Sequence, residues 1–186
     1  MRLLIVATGF SIVIFIKQLL PEKTVVVGEL SVTEQFIQEI GPKAQLIARQ
    51  NDLYASVMIA QAILESDSGR SRLSQSPYFN FFGIKGDFHG QSVSFETWED
   101  DGQGNPYTIV ADFRSYGSVT NSLSDYASIL RQNLYRLTHR SQSRSYRDAT
   151  AALTGTYATD TTYGQKLNDL IQRYHLTRYD KTIFIN

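Results

Sequence analysis

One glutamate at the end of an apolar run is the first residue of this chain that could do acid–base chemistry. Glu65 follows the apolar residues 62–64 and precedes a turn-like Ser-Asp-Ser-Gly sequence at 66–69. Apolar surroundings disfavour the charged carboxylate and raise its pKa, so a proton stays available near neutral pH. The local sequence is equally compatible with an ordinary surface charge at a helix end.

Two helices and their caps must place Glu65. Ser31 and Glu34 have capping-box spacing and predict a helix start. The Gly-Pro pair at 41–42 predicts that this helix breaks or kinks before it resumes. The next helix, over 55–66, is apolar around most of its circumference. We therefore expect it to be central and buried, with Glu65 near its C-terminal end.

A β-hairpin interrupts the helical pattern. Residues 91–99 alternate between the two faces of a strand, turn-forming residues fill 100–106, and 107–113 predict the return strand. Helical patterns follow from Ser118 onward. The sequence therefore predicts an α+β domain that is mostly helical and carries one β-hairpin lobe.

The composition excludes several kinds of function. Eighteen Lys and Arg residues balance eighteen Asp and Glu residues, so no overall charge attracts nucleic acid. The chain has no cysteine, which excludes disulfides, thiolate metal sites and cysteine nucleophiles. The three histidines, His89, His139 and His175, lack metal-ligand spacing. We expect a neutral polymer or small ligand, without metal or cofactor.

Three motifs, in a fixed order, carry a resemblance to a known family. AQAILESDSGRSRL begins at Ala60, YFNFFGIKG begins at Tyr78, and GTYATDTTYGQKL begins at Gly155. Together they resemble the bacterial cell-wall endo-β-N-acetylglucosaminidases of glycoside hydrolase family 73, relatives of flagellar and autolysin glucosaminidases. The resemblance covers about residues 31–175. It implies a lysozyme-like fold and hydrolysis of the β-1,4 bond after N-acetylglucosamine in peptidoglycan.

The resemblance also implies three catalytic residues. Glu65 matches the family's general acid, and Glu99 stands where the hairpin provides a second carboxylate. Tyr157 matches a family tyrosine near the subsite for the acetamido group, although a core tyrosine is the alternative. Nearby carboxylates that could replace Glu99 are Glu96, Asp100 and Asp101.

Four residues are candidates for contact with substrate. Asn80 has loop backbone or substrate as its possible partners, and Phe82 is expected to pack inward within the same motif. Trp98 and Tyr107 belong to the hairpin and could stack on sugar rings.

One departure from the family pattern lies beside the acid. Asp67 and Ser68 stand where Gly-Trp is common in relatives, and the missing Trp removes an aromatic contact near Glu65. A wall-binding module without activity therefore stays open as an alternative. A muramidase or lytic transglycosylase on the same fold is the other.

The N-terminus predicts export. Arg2 precedes fourteen uncharged, mostly apolar residues at 3–16. This run matches a signal peptide and is short for a membrane span of about 20 residues, but no small-x-small cleavage site follows directly. We assign 1–20 to a signal peptide or membrane anchor, 21–30 to a linker and 31–180 to the glucosaminidase domain. The expected place is the cell wall or cell exterior, secreted or anchored, with peptidoglycan glycan strands as partner and membrane contact only through the N-terminal segment.

Overall fold

The computed structural model describes residues 29–100 and 106–181, with the backbone alone at 98–100 and 106. The predicted signal or anchor segment, 1–20, and most of the predicted linker lie outside these ranges. No helix in the described ranges is long and apolar enough to cross a membrane.

The described part of the chain folds into five α-helices and one antiparallel hairpin, which confirms the predicted α+β class with a hairpin lobe. Short 3-10 turns connect several of these elements. The helices are α1 (Val32–Gln50), α2 (Ala55–Ser66), α3 (Val119–Ile129), α4 (Tyr146–Leu153) and α5 (Tyr163–Arg173). The strands are β1 (Ser92–Asp100) and β2 (Pro106–Arg114), and the 3-10 turns are Arg72–Ser74, Asn133–Thr138, Arg140–Gln142 and Leu176–Asp180.

Helix α1 begins as the sequence predicts and continues where a break was expected. Glu34 Oε2 accepts from the backbone N–H of Ser31 at 2.8 Å, and Ser31 Oγ accepts from the Glu34 N–H, so the capping box is confirmed. Of the two expected outcomes at Pro42, a break is wrong, because α1 runs through it without interruption, and a kink stays a prediction. Pro42 and Gln38, whose carbonyl loses its helical partner, both lie on the solvent side, where water can satisfy that carbonyl.

Helix α2 is the central helix, as the sequence predicts. Met58, Ile59 and Ala62 have no exposed surface, and the helix packs against α1, α5 and the turn at Leu176–Asp180. No side chain at the N-cap position of α2 caps the helix. A residue far along the chain does so instead: Asp180 Oδ1 accepts from the backbone N–H of Ser56 at 2.9 Å.

The hairpin is anchored to the helices at its root. Gly86 N–H donates to the Asp112 carbonyl at 2.8 Å, and Arg114 N–H donates to the Ile84 carbonyl at 3.0 Å. The Arg114 guanidinium also donates to Asp125 on α3 at 2.7 Å. Along β1, half-buried positions alternate with exposed ones from 92 to 97, which confirms the predicted strand faces.

Candidate active site

Glu65 lies in the last turn of α2, immediately before the chain leaves the helix. Asp67 ends the helix in a left-handed conformation with φ of 52°. Oε1 of Glu65 accepts a hydrogen bond of 2.6 Å from the hydroxyl of Tyr163, the first residue of α5. The residue as a whole is exposed, so a ligand can reach the carboxyl group from outside.

Two effects act on the pKa of Glu65 in opposite directions. Removal of water by the surrounding protein raises it, and the hydrogen bond from Tyr163 lowers it, with the first effect the larger. The carboxyl group therefore keeps its proton to a higher pH than an ordinary glutamate does. A general acid that works near neutral pH needs this property.

Three tyrosine hydroxyls surround the carboxyl group. They come from α3 (Tyr126), from the turn after α4 (Tyr157) and from α5 (Tyr163). Burial raises the pKa of each hydroxyl, and the nearby charge of Glu65 raises it further. All three therefore stay neutral and act as hydrogen-bonding groups near neutral pH.

A chain of hydrogen bonds runs from the core to Glu65. Tyr126 donates to the Oε1 atom of Gln61, and Gln61 Nε2 donates to the Tyr163 oxygen at 3.0 Å. Tyr163 then donates to Glu65. Gln61 precedes Glu65 by four residues on α2, so both side chains point to the same face of the helix.

Tyr157 lies beside this chain of bonds. Its ring stacks on that of Tyr163 with 6.0 Å between centroids and 18° between planes. Its hydroxyl donates to the Phe82 carbonyl at 3.0 Å. The tyrosine motif and the asparagine-loop motif are thus brought together next to Glu65, as their shared family pattern implies.

Asn80 and Phe82 are both buried in the structure. Asn80 is 1% exposed; its Nδ2 donates to the carbonyls of Ile84 and Arg114, and its Oδ1 accepts from the Ile84 N–H, all within 3.0 Å. Phe82 stacks on Tyr126 with 4.1 Å between ring centroids. Of the two partners considered for Asn80, loop backbone is the one observed. Direct contact of either side chain with substrate would require this loop to open.

Three predicted site residues lie on the hairpin. The structure describes two of them by their backbone only, and the third has an exposed side chain. β1 carries Trp98 and Glu99, and the register sets Glu99 opposite Tyr107. The side chains of Trp98 and Glu99 lie outside the described part of the structure, so their predicted roles stay predictions. Tyr107 is 47% exposed and is accessible to a ligand.

Asp67 and Ser68, which depart from the family pattern, both make polar contacts. Asp67 pairs with Arg70 at 2.6 Å on the surface, and Ser68 Oγ bonds to Thr33 Oγ1 on α1 at 2.8 Å. These contacts tie the turn after α2 to itself and to α1, and none of them involves Glu65.

Sequence reasoning missed the residues that hold the acid. Gln61, Tyr126 and Tyr163 were not among the predicted site residues, although each is at most 3% exposed. One signal was available: Gln61 is a polar residue within the apolar run 57–64 of α2, four positions before Glu65. In the described ranges, no group of three or more His, Asp and Glu residues could hold a metal ion.

Comparison with known families gives the identity of the domain. Residues 41–176 match the glucosaminidase family model, described as mannosyl-glycoprotein endo-beta-N-acetylglucosaminidase. The chain belongs to this glucosaminidase family. The resemblance predicted from the three motifs is thus confirmed, and with it membership of a class of glycoside hydrolases.

A solved structure of similar sequence shares the fold of this chain. The catalytic domain of the autolysin Auto from Listeria monocytogenes superimposes with a TM-score of 0.79 at 44% identity, covering 84% of this chain and 92% of that one. This likeness confirms the lysozyme-like fold.

Two curated proteins are also similar in sequence. An N-acetylmuramoyl-L-alanine amidase domain-containing protein of Staphylococcus aureus is 51% identical over 80% of this chain. A probable N-acetylmuramidase of Lactococcus lactis subsp. cremoris is 47% identical over 80% of the chain. The chain spans 25% and 35% of the length of these two relatives.

Proposed function

We propose that this protein hydrolyses the β-1,4 glycosidic bond after N-acetylglucosamine in peptidoglycan, with Glu65 as the general acid. The observation that carries the proposal is the carboxyl group of Glu65. It is reachable from outside, has a raised pKa and is bonded to Tyr163. Family membership supplies the reaction class.

The proposed acid step follows from the position of that proton. Glu65 transfers its proton to the bridging oxygen while the bond from that oxygen to the sugar C1 breaks, and the electron pair of the bond stays with the departing oxygen. Water then supplies a hydroxyl to C1 and a proton that returns to the carboxylate. Glu65 is protonated again at the end of the cycle.

The positive charge that develops at C1 needs a second group. Glu99 on the hairpin is our candidate, and the 2-acetamido group of the substrate can itself act as nucleophile. Tyr157 lies beside Glu65 through its stacking on Tyr163. We assign it a role near the acetamido group, with its hydroxyl first released from the Phe82 carbonyl.

Peptidoglycan is proposed as substrate because the relatives point to it. The family description names mannosyl-glycoproteins, whereas the solved Listeria relative is called an autolysin. A balanced charge suits a neutral glycan strand better than a nucleic acid. We also propose that the segment 1–20 exports the protein, which then acts in the wall or outside the cell, secreted or anchored.

A second cleavage specificity has one specific observation in its favour. The Lactococcus lactis relative is named a probable N-acetylmuramidase, so cleavage after N-acetylmuramic acid is the alternative. Mass spectrometry of digested peptidoglycan separates the two. Reducing-end N-acetylglucosamine supports our proposal, whereas reducing-end or 1,6-anhydro-muramic acid replaces it with the alternative.

The role of Glu65 is tested by Glu65→Gln, which keeps the size of the side chain and removes its acidity. We expect hydrolysis to fall by roughly 10²- to 10⁴-fold, with the fold intact by thermal melting. Glu39→Gln, at an exposed position on α1, is the matched control and should leave hydrolysis unchanged. Full activity in Glu65→Gln would overturn the assignment, and an inactive wild type that binds walls would favour the binding module.

A further inference from the structure

Gln61 is a buried polar group whose only role in the described contacts is to join two tyrosines. It is 0% exposed, so it does not touch a ligand. Its amide oxygen accepts from Tyr126, and its amide nitrogen donates to Tyr163. Burying an amide on the central helix is costly unless both ends are bonded, and here both are.

The direction of these bonds follows from counting hydrogens. Tyr163 has one hydroxyl hydrogen, and its bond to Glu65 uses it. Towards Gln61 the Tyr163 oxygen can therefore only accept, which turns the amide nitrogen of Gln61 to Tyr163 and the amide oxygen to Tyr126. Tyr126 completes the arrangement by donating its own hydrogen.

If the side-chain amide of Gln61 were turned by 180°, the position of the proton on Glu65 would change. Tyr163 would then donate to Gln61 and could only accept from Glu65, so Glu65 would have to place its proton on Oε1, between the two residues. With the amide as it stands, a proton on Oε1 would leave the buried Tyr163 hydrogen without an acceptor among the described contacts, which is costly. The observed direction leaves Oε2 as the oxygen of Glu65 that can carry a proton for transfer.

We infer that Gln61 is a positioning residue that commits the Tyr163 hydroxyl hydrogen to Oε1 of Glu65 and thereby assigns the transferable proton to Oε2. This inference rests on the proposed function for its catalytic meaning. The bonds themselves also strengthen the Tyr163 donor, since a hydroxyl that accepts a hydrogen bond becomes a better donor. Gln61 thus helps to stabilise the ionised form of Glu65 from a place that no ligand reaches.

In the described ranges, the titratable groups whose pKa responds to the charge of Glu65 include three tyrosine hydroxyls. α3 provides Tyr126, the turn after α4 provides Tyr157, and α5 provides Tyr163. Tyr135, from the Asn133–Thr138 turn, lies behind Tyr157 with 6.4 Å between ring centroids. Burial raises the pKa of the Tyr126, Tyr157 and Tyr163 hydroxyls, so a change in the pKa of Glu65 can be followed without overlap from these three groups.

The test is Gln61→Met, which keeps a long side chain and removes both hydrogen bonds. We expect the pKa of Glu65, followed by carbon-13 NMR of its carboxyl group, to rise above the wild-type value, because the Tyr163 donor is weakened. The alkaline limb of hydrolysis should move to higher pH with it. We also expect kcat to fall on the order of tenfold with KM unchanged.

Two further variants make the result decisive. Tyr163→Phe removes the bond itself and should raise the pKa of Glu65 more than Gln61→Met does. Tyr116→Phe is the matched control, because it removes a hydroxyl that donates to a carboxylate, Asp125, at the same 2.6 Å but outside this chain of bonds. It should leave the pKa of Glu65 unchanged.

An unchanged pKa of Glu65 in Gln61→Met, with a shift in Tyr163→Phe, would overturn the inference. If Gln61→Met does not fold, Tyr126→Phe keeps the ring stacked on Phe82 and removes only the hydroxyl that orients the amide. It should give a smaller rise in the same direction, and no rise would again overturn the inference. The NMR titration needs no substrate, so it decides the role of Gln61 even if Glu65→Gln proves that the proposed function is wrong.

Discussion

The helical core and the hairpin place their carboxylates in different ways. Glu65 is held by a chain of buried side chains from three helices, whereas the hairpin is joined to the helices at its root and exposes side chains such as Val110 and Tyr107 along β2. The helical core therefore holds the Glu65 carboxyl group in place before any ligand binds. The hairpin, in contrast, leaves side chains beyond its root open to solvent.

The largest expected difference between the two regions is in activity. Glu65→Gln should lower the rate by roughly 10²- to 10⁴-fold, and Glu99→Gln should lower it less, because the substrate's acetamido group can serve as nucleophile. Initial rates of wall digestion for both variants measure this. Equal losses would make the hairpin carboxylate an obligatory partner, and an unaffected Glu99→Gln would move the role to a neighbour or remove it.

The second largest effect is expected where the hairpin joins the helical core, and it concerns stability. Asn80→Ala removes three hydrogen bonds that hold the hairpin root and leaves buried backbone groups without partners, so we expect a loss of about 3 kcal/mol in the free energy of unfolding. Urea titration measures it. Asn133→Ala, at an exposed position, should cost less than about 0.5 kcal/mol, and an equally small effect for Asn80→Ala would show that the root is held by other contacts.

A smaller effect is expected at the start of α2, the helix that carries Glu65. Asp180→Ala removes the acceptor that caps α2, and we expect to lose about 1 kcal/mol of unfolding free energy. Asp180→Asn keeps a side-chain oxygen at the same distance from the backbone and should retain most of this unfolding free energy. If thermal melting shows the two variants to be equally destabilised, charge and not capping is the contribution of Asp180.

The smallest expected effect concerns stability and pH. The folded state raises the pKa of Glu65, mainly by removing water, so protonated Glu65 stabilises the fold and this contribution is lost as pH rises through the raised pKa. Glu65→Gln should therefore melt slightly higher than wild type at neutral pH. The difference should vanish below the ordinary glutamate pKa of 4.5; a gap that persists in acid would point to packing instead.

Periodicity and family motifs predicted most of the fold. The capping box at Ser31, the buried α2 and the alternating faces of β1 all follow from local sequence, because each depends on neighbours a few residues away. The break at Pro42 failed because exposure decides whether a helix tolerates proline. The rule that proline breaks a helix takes no account of that exposure.

The site was predictable only in part, for the same physical reason. Glu65 and Tyr157 could be located by motif, but the bonds that hold Glu65 join residues up to 102 positions apart. Nothing in the sequence around Tyr126 marks its hydroxyl as the partner of Gln61. Asn80 stood in a recognisable motif, yet its partner Arg114 lies 34 positions away, so its bracing role emerges only from the fold.

Both ends of α2 are held by residues from much later in the chain, which affects the order in which the contacts can form during translation. Its first turn is capped by Asp180, and the carboxyl group near its last turn is held by Tyr163. During synthesis, a chain that has emerged only as far as α4 contains Glu65 but neither of these partners. The contacts at both ends of α2 therefore form only after Tyr163 and Asp180 have been synthesised, well after α2 itself.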